Sequence, residues 1–191
     1  SVTTIGDNAL DVCGRLERIS MVNIVGSIGI GVGSISSYAA YTSYNVQRIV
    51  IGNAIGYINS DAFKYCPLTS LTIEEGVTSI ASYAFNSCSK IQSIIIPNSI
   101  TSLGLSVFNL AAITSITIGT GLTSIPNSFC NSILLQSITI PDSVISIGNN
   151  AFQYCSKIQS ITIPDNVESI YTSAFQYCVS ATSLTIGAGV T

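Results

Sequence analysis

The stretch VISIGNNAFQYCSKIQSITIPDN (residues 144–166) decides the architecture, because the chain repeats it at once. From Val167 it continues VESIYTSAFQYCVSATSLTIGAG, and from Val77 it reads VTSIASYAFNSCSKIQSIIIPNS. Aligning on the opening apolar residue puts unit starts at Val2, Val25, Ile55, Val77, Ile100, Leu122, Val144 and Val167, with a further start at Val190. The spacing is about 23 residues, the length of one supersecondary unit in a stacked repeat protein. The interval from Val25 to Ile55 is longer, and an irregular insertion within residues 29–45 accounts for the excess. Residues 1–191 therefore read as a single solenoid of eight repeats plus the start of a ninth.

Each unit carries two local signals. Ser137-Ile-Thr-Ile140 alternates polar and apolar, the mark of a short strand with one buried face. Ile138 and Ile140 are expected inside, Ser137 and Thr139 outside. Pro97, Gly119, Pro141, Pro164 or Gly187 follows and turns the chain. Val144-Ile-Ser-Ile147 is a second short extended piece. Ala151-Phe-Gln-Tyr-Cys155 then places apolar groups at i, i+1 and i+4, suited to a single helical turn or a tight arc. One such unit is too small to bury its own apolar face, so the units must stack. Stacking at about 4.8 Å per strand gives a solenoid with a parallel β-sheet on one side. Short strands, turns or single helical turns form the other.

Composition narrows the function classes. Hydrophobic residues make up 47% of the 191, and charged residues only 8%. Mean hydropathy is +0.57. Disorder is excluded, because it needs low hydrophobicity and high charge. Ser, Thr, Asn and Gly interrupt every apolar run before it reaches the ~18 residues of a membrane span, so no membrane insertion is expected. The net charge is −3, with no basic cluster, so no nucleic-acid partner is expected.

The unit V-x-S-I-x-x-x-A-F-x-x-C-x-x-I-x-S-I-T-I-P resembles the BspA-like leucine-rich repeat, a class related to TpLRR. The likeness covers essentially the whole chain and is weakest over residues 25–54. Ile158, Ile161 and Ile163 stand for the L-x-x-L-x-L core, with a small residue where the usual Asn would follow. The resemblance implies a leucine-rich repeat fold and an extracellular or cell-surface protein acting in adhesion.

Catalytic chemistry finds little to work with. The chain has no His, so Ser-His-Asp and Cys-His arrangements are impossible. Glu74, Glu75, Asp142 and Asp165 sit at or beside the turn after a strand, where polar residues are expected anyway. Neither a catalytic residue, a metal site nor a cofactor is assigned, and the expectation is a non-enzyme. Gly29, Gly31 and Gly33 lack the Lys-Ser/Thr ending of a phosphate loop and read as the opening of the insertion.

Five of the six cysteines, Cys13, Cys66, Cys88, Cys155 and Cys178, share one slot, three residues after Phe or its equivalent. A small buried hydrophobe suits that slot. Adjacent slots at about 4.8 Å also allow bridges Cys66–Cys88 and Cys155–Cys178. Free thiols are the favoured reading, because parallel side chains in a ladder need not meet a bridge's dihedral. Cys130, directly after Phe129, falls outside the slot and is expected to be the most exposed.

Two surfaces are candidate binding sites. Outward strand positions Thr72, Ile95, Thr117, Thr139, Thr162 and Thr185 form a largely hydroxyl-bearing row, with a parallel row of serines two residues earlier. β-Branched Thr suits an exposed strand site without any function. Tyr38, Tyr41 and Tyr44 in the insertion, spaced by three, are able to share one face of a short helix. The expected partner is a protein or glycan on a host or neighbouring cell. The alternative is the chain itself, stacked end to end as the structural subunit of an extracellular filament, because neither end carries the polar cap a solenoid normally has. A piece cut from a longer array explains the same ends.

Overall fold

The computed structural model describes residues 4–6, 9, 18–21, 33–40, 46–109 and 111–191. Among them the backbone forms sixteen short strands and no helix. The even-numbered strands are the Ser-Ile-Thr-Ile segments: β2 (Arg18–Met21), β4 (Arg48–Ile51), β6 (Ser70–Ile73), β8 (Ser93–Ile96), β10 (Ser115–Ile118), β12 (Ser137–Thr139), β14 (Ser160–Ile163) and β16 (Ser183–Ile186). The odd-numbered strands are the Val-x-Ser-Ile segments: β1 (Thr4–Ile5), β3 (Gly33–Ile35), β5 (Ile55–Ile58), β7 (Ser79–Ile80), β9 (Ser102–Leu103), β11 (Ser124–Ile125), β13 (Ser146–Ile147) and β15 (Ser169–Ile170). The second unit's strand is thus at Gly33–Ile35, within the span read as an insertion, and the unit start read at Val25 lies outside the described residues.

Every pairing is parallel and joins a strand to its equivalent in the next turn. Even strands run β2-β4-β6, β8-β10-β12 and β14-β16; odd strands run β1-β3-β5-β7-β9 and β11-β13-β15. Like faces like: Ser93, Ser115 and Ser137 are partners, as are Ile94, Ile116 and Ile138. Among the described residues the one register slip, between Gly33 and Ser34, is in β3. The stacked-repeat solenoid expected from the periodicity, with a parallel sheet on one side, is thus the fold.

The core consists of columns, each one repeat position read along the stack. Val77, Ile100, Leu122, Val144 and Val167 form one; Leu68, Ile91, Ile113, Leu135 and Ile158 form another. Phenylalanines form a third. Phe63 and Phe85 lie 5.4 Å apart between ring centroids, Phe85 and Phe108 5.8 Å, and Phe152 and Phe175 5.3 Å, all stacked near parallel. Offset stacking of this kind adds to the stabilisation from burial.

The Ala-Phe-x-x-Cys segment is an arc, and its backbone explains its sequence. In most turns, residues immediately before the Ala and the Cys adopt left-handed conformations. Asn150 (φ 55) precedes Ala151, and Tyr154 (φ 63) precedes Cys155. The same pair is Asp61 and Tyr65 in one turn, Tyr83 and Ser87 in the next. This curls the chain tightly enough that the N–H of the Phe reaches the following turn: Phe63 to Ala84 O (2.9 Å), Phe85 to Val107 O (3.2 Å), Phe152 to Ala174 O (2.7 Å). On the strand sides the donation runs the other way, as from Glu74 N to Ile51 O and Gly104 N to Ile80 O.

The cysteine slot is a small, buried donor site. Cys66, Cys88, Cys155 and Cys178 donate Sγ–H to backbone carbonyls of the preceding turn, those of Ala40, Phe63, Cys130 and Phe152. Cys88, Cys130, Cys155 and Cys178 are free thiols, so neither adjacent-slot bridge is formed. Cys13 lies outside the described residues.

Cys130 departs from expectation: it is fully buried. Its N–H donates to Ala151 O (2.9 Å), the bond a Phe makes in other turns, while Phe108 N donates to Phe129 O. Phe129 therefore occupies the alanine position and Cys130 the phenylalanine position. The arc is one residue shorter here, and Ser132 takes the cysteine slot; its carbonyl accepts from Leu135 N as that of Cys155 accepts from Ile158 N. The displaced Phe129 ring still fills the column, but edge-on, at 85° to Phe108 and 84° to Phe152.

Candidate functional surfaces

The sheet of even strands presents the first surface. Parallel register turns the outward positions into straight rows. Val50 pairs with Thr72, Ile95 with Thr117, Thr117 with Thr139, and Thr162 with Thr185. Thr72, Ile95, Thr117, Thr139, Thr162 and Thr185 are all exposed, Ile95 most notably at 67%. Ser93, Ser115, Ser137, Ser160 and Ser183 form a second exposed row. Pleating requires this: Leu71, Ile94, Ile96, Ile116, Ile118, Ile138, Ile161 and Ile163 point into the core, so the alternate residues cannot. The outcome is a regular face of uncharged hydroxyls interrupted by Ile95.

The acidic residues beside the strand ends have structural work. Glu75 accepts backbone N–H bonds from Ser99 (2.9 Å) and Asn98 (3.1 Å) of the next turn. Those two N–H donors hold its carboxyl below the usual carboxylate range. Glu74 accepts from Asn53 N, and Asp165 from Ala188 N. Asn98 and Asn127 do the same with amide oxygens toward Thr120 N and Asn149 N. These side chains satisfy turn N–H groups the ladder leaves over.

Of the three insertion tyrosines, Tyr38 is exposed, and Tyr41 and Tyr44 lie outside the described residues. Tyr38 has φ 59 and precedes Ala39, and Ala40 N donates to Ala62 O. It therefore belongs to a tight arc in register with the next turn and not to a short helix.

The arcs carry a second surface that sequence reading missed. Tyr65, Tyr83, Tyr154 and Tyr177 project from left-handed arc positions and are exposed. The rings of Tyr154 and Tyr177 stack at 4.8 Å and 9°, beside a Gln153 Nε2–Gln176 Oε1 hydrogen bond. The Lys64 ammonium lies 5.4 Å from the Tyr65 ring centroid and 5.0 Å from that of Tyr83, and pairs with Asp61 at 2.9 Å. For Tyr65, Tyr154 and Tyr177 the signal was the recurrent Tyr two places after Phe in AFKYC and AFQYC. Its direction depends on a left-handed backbone that bulky residues seldom adopt.

Among the described residues no helix is long and apolar enough to cross a membrane.

The pattern of the BspA type leucine rich repeat region matches residues 33–128 and 126–191, in six copies. No curated protein matches the chain in sequence. Among solved structures, a leucine-rich repeat protein from Bacteroides ovatus ATCC 8483 is 26% identical, with a TM-score of 0.80 over 94% of this chain and 47% of that one. A leucine rich cell surface protein from Faecalibacterium prausnitzii A2-165 is 20% identical, with a TM-score of 0.58 over 95% of this chain and 62% of that one. The pneumococcal vaccine antigen PcpA is 15% identical, with a TM-score of 0.63 over 100% of this chain and 57% of that one. The last two share the fold. The chain thus spans 62%, 47% and 57% of the Faecalibacterium, Bacteroides and pneumococcal chains respectively.

Proposed function

Because this chain belongs to the BspA-type leucine-rich repeat family, we propose that it is a non-enzymatic extracellular or cell-surface protein that binds a protein or glycan on a host or neighbouring cell. The observation that carries the reading is the in-register hydroxyl face of the even strands, with Thr72, Ile95, Thr117, Thr139, Thr162 and Thr185 all exposed. Such a face offers many donors and acceptors on a rigid frame, at little cost in side-chain ordering, and without long-range electrostatic steering. The names of two fold neighbours, a cell surface protein and a vaccine antigen, agree with a surface location. The same reading takes the chain as one array of eight repeats. It keeps Tyr38, Tyr41 and Tyr44 as a second contact region. Flow cytometry with fluorescently labelled protein on epithelial cells, beside protein and glycan arrays, tests it. Saturable binding to cells and to a defined class of array ligand is expected; absence of binding to cells and arrays alike overturns it.

A second reading is end-to-end stacking into an extracellular filament: with only 8% charged residues, the chain lacks a common defence against edge-to-edge pairing. Concentration-dependent sedimentation into long polymers supports stacking, and a single discrete species excludes it.

A further inference from the structure

A groove on the side of the odd strands lies apart from the hydroxyl face. It covers β11, β13 and the residues that follow them, and Leu105 and Tyr171, both exposed, bound it along the stack. Register explains its shape. Ile125, Ile147 and Ile170 are ladder partners, so the residues after them, Pro126, Gly148 and Tyr171, share one repeat position. Two small residues followed by a ring make the column drop away on one side of Tyr171. Gly148 cannot be larger, because an added Cβ would lie 2.6 Å from Asn127 Oδ1 and 2.8 Å from Asn127 N. Tyr171 is held at both backbone groups: its N–H donates to Ile147 O (2.9 Å) and its carbonyl accepts from Ala174 N (3.2 Å). Three repeat intervals separate Leu105 from Tyr171, about 14 Å at the rung spacing of a sheet. The groove has a volume of about 470 Å³, within the range of small-molecule sites.

The lining is uncharged and offers both halves of a hydrogen bond. Asn149 N–H donates to Asn127 Oδ1 (2.8 Å), and Asn149 Nδ2 lies 3.5 Å from the same oxygen. That arrangement orients both amides and leaves Asn127 Nδ2 as a donor and Asn149 Oδ1 as an acceptor. The hydroxyls of Ser124 and Ser146, register partners, line the same groove. Among the described residues no Lys, Arg, Asp or Glu lines it, so a phosphate or carboxylate would lose hydration there without a countercharge. A peptide added as an extra strand does not fit either, because β13 is already paired on both sides. An aromatic ring, an aliphatic side chain, amides and hydroxyls without charge match a pyranose, whose C–H face is apolar and whose rim carries neutral hydroxyls. We propose that this groove is a binding site for a short neutral oligosaccharide, with Tyr171 as the stacking platform and the Asn127 and Asn149 amides reading sugar hydroxyls. Because the platform and the amides are already fixed by backbone bonds, little side-chain ordering opposes binding.

The test follows amide chemical shifts of the isotope-labelled full chain during titration with maltotriose, cellotriose, mannotriose and galactotriose. At least one sugar should move the side-chain amide signals of Asn127 and Asn149 saturably. Tyr171→Ala should weaken that binding at least ~10-fold. Tyr57→Ser, which removes an exposed tyrosine of β5 outside the groove, should leave it unchanged. No shift at Asn127 or Asn149 with any of the four sugars overturns the proposal, as does a shift that Tyr171→Ala leaves unaltered. Shifts produced by a proline-rich peptide and by none of the sugars overturn it equally, by giving the groove to another ligand. The wild-type shift map is decisive by itself, so a variant that fails to fold leaves the test intact. The groove shares no residue with the hydroxyl row of the even strands, so failure of either site leaves the other standing.

Discussion

The Sγ of Cys88 donates to the carbonyl oxygen of Phe63 at 3.2 Å, tying together residues 25 positions apart in sequence. That carbonyl also accepts from Cys66 N, so the thiol uses its remaining lone pair. The slot therefore selects for a small side chain first and a donor second; Ala111 and Ser132 stand there in other turns, both buried. Cys88→Ala should cost about 0.5–1.5 kcal/mol, the value of one weak hydrogen bond and a slight loss of packing. Cys88→Leu should cost more, about 1–3 kcal/mol, by overpacking a closed stack. Urea unfolding of the two variants checks the order; a Leu variant as stable as the Ala variant contradicts it.

Phe85 lies fully buried between Phe63 and Phe108. Phe85→Ala should cost about 3–5 kcal/mol. Because each repeat contacts only its neighbours, the damage should stay local. Amide hydrogen exchange should accelerate over residues 55–110 and change little over residues 150–180. Uniform acceleration along the chain would show a cooperativity that the column model lacks.

Gly121 faces the preceding turn so closely that an added Cβ would sit 2.1 Å from Asn98 O. Nothing lies within 4 Å of the same atom on Gly6. Gly121→Ala should destabilise by about 1–3 kcal/mol through backbone displacement, while Gly6→Ala stays near neutral. Comparing the two thermal midpoints tests whether close turn spacing, not loop flexibility, explains glycine after the strand.

Glu75 has its folded-state carboxyl lowered by the Ser99 and Asn98 N–H groups. A lowered carboxyl contributes stability above its unfolded value, near 4.5, and loses it as pH falls through the folded value. Stability should therefore decline in acid below about pH 4.5, and Glu75→Gln should flatten that part of the profile. Denaturation midpoints between pH 3 and pH 7 read this directly. An unchanged slope in the variant rules out the carboxylate as a contributor.

The strands were legible because side-chain alternation has a period of two and the repeats supplied several copies of each reading. Ser137-Ile-Thr-Ile140 and its equivalents needed only that rule. The burial of Cys130 was hidden by a one-residue shortening, which shifts Phe129 into the alanine position and is visible only in the backbone hydrogen bonds. The tyrosine ridge was hidden for a different reason. Tyr154 and Tyr177 point outward because their φ values are 63 and 64, and local propensity disfavours that conformation for an aromatic residue. Stacking overrides it by supplying hydrogen-bond partners in the next turn, such as Gln176 O for Tyr154 N.

The proposed sheet-face binding is tested most directly by measuring cell binding of two variants side by side. One carries Thr117→Arg, Thr139→Arg and Thr162→Arg on the hydroxyl row; the other carries Tyr154→Ser and Tyr177→Ser on the arc. All five positions are exposed, so both proteins should fold as the wild type does. The sheet-face variant should lose binding at least ~10-fold, equivalent to about 1.4 kcal/mol, while the arc variant binds normally. Normal binding by the sheet-face variant, with loss in the arc variant, would contradict the assignment and move the site to the tyrosine ridge.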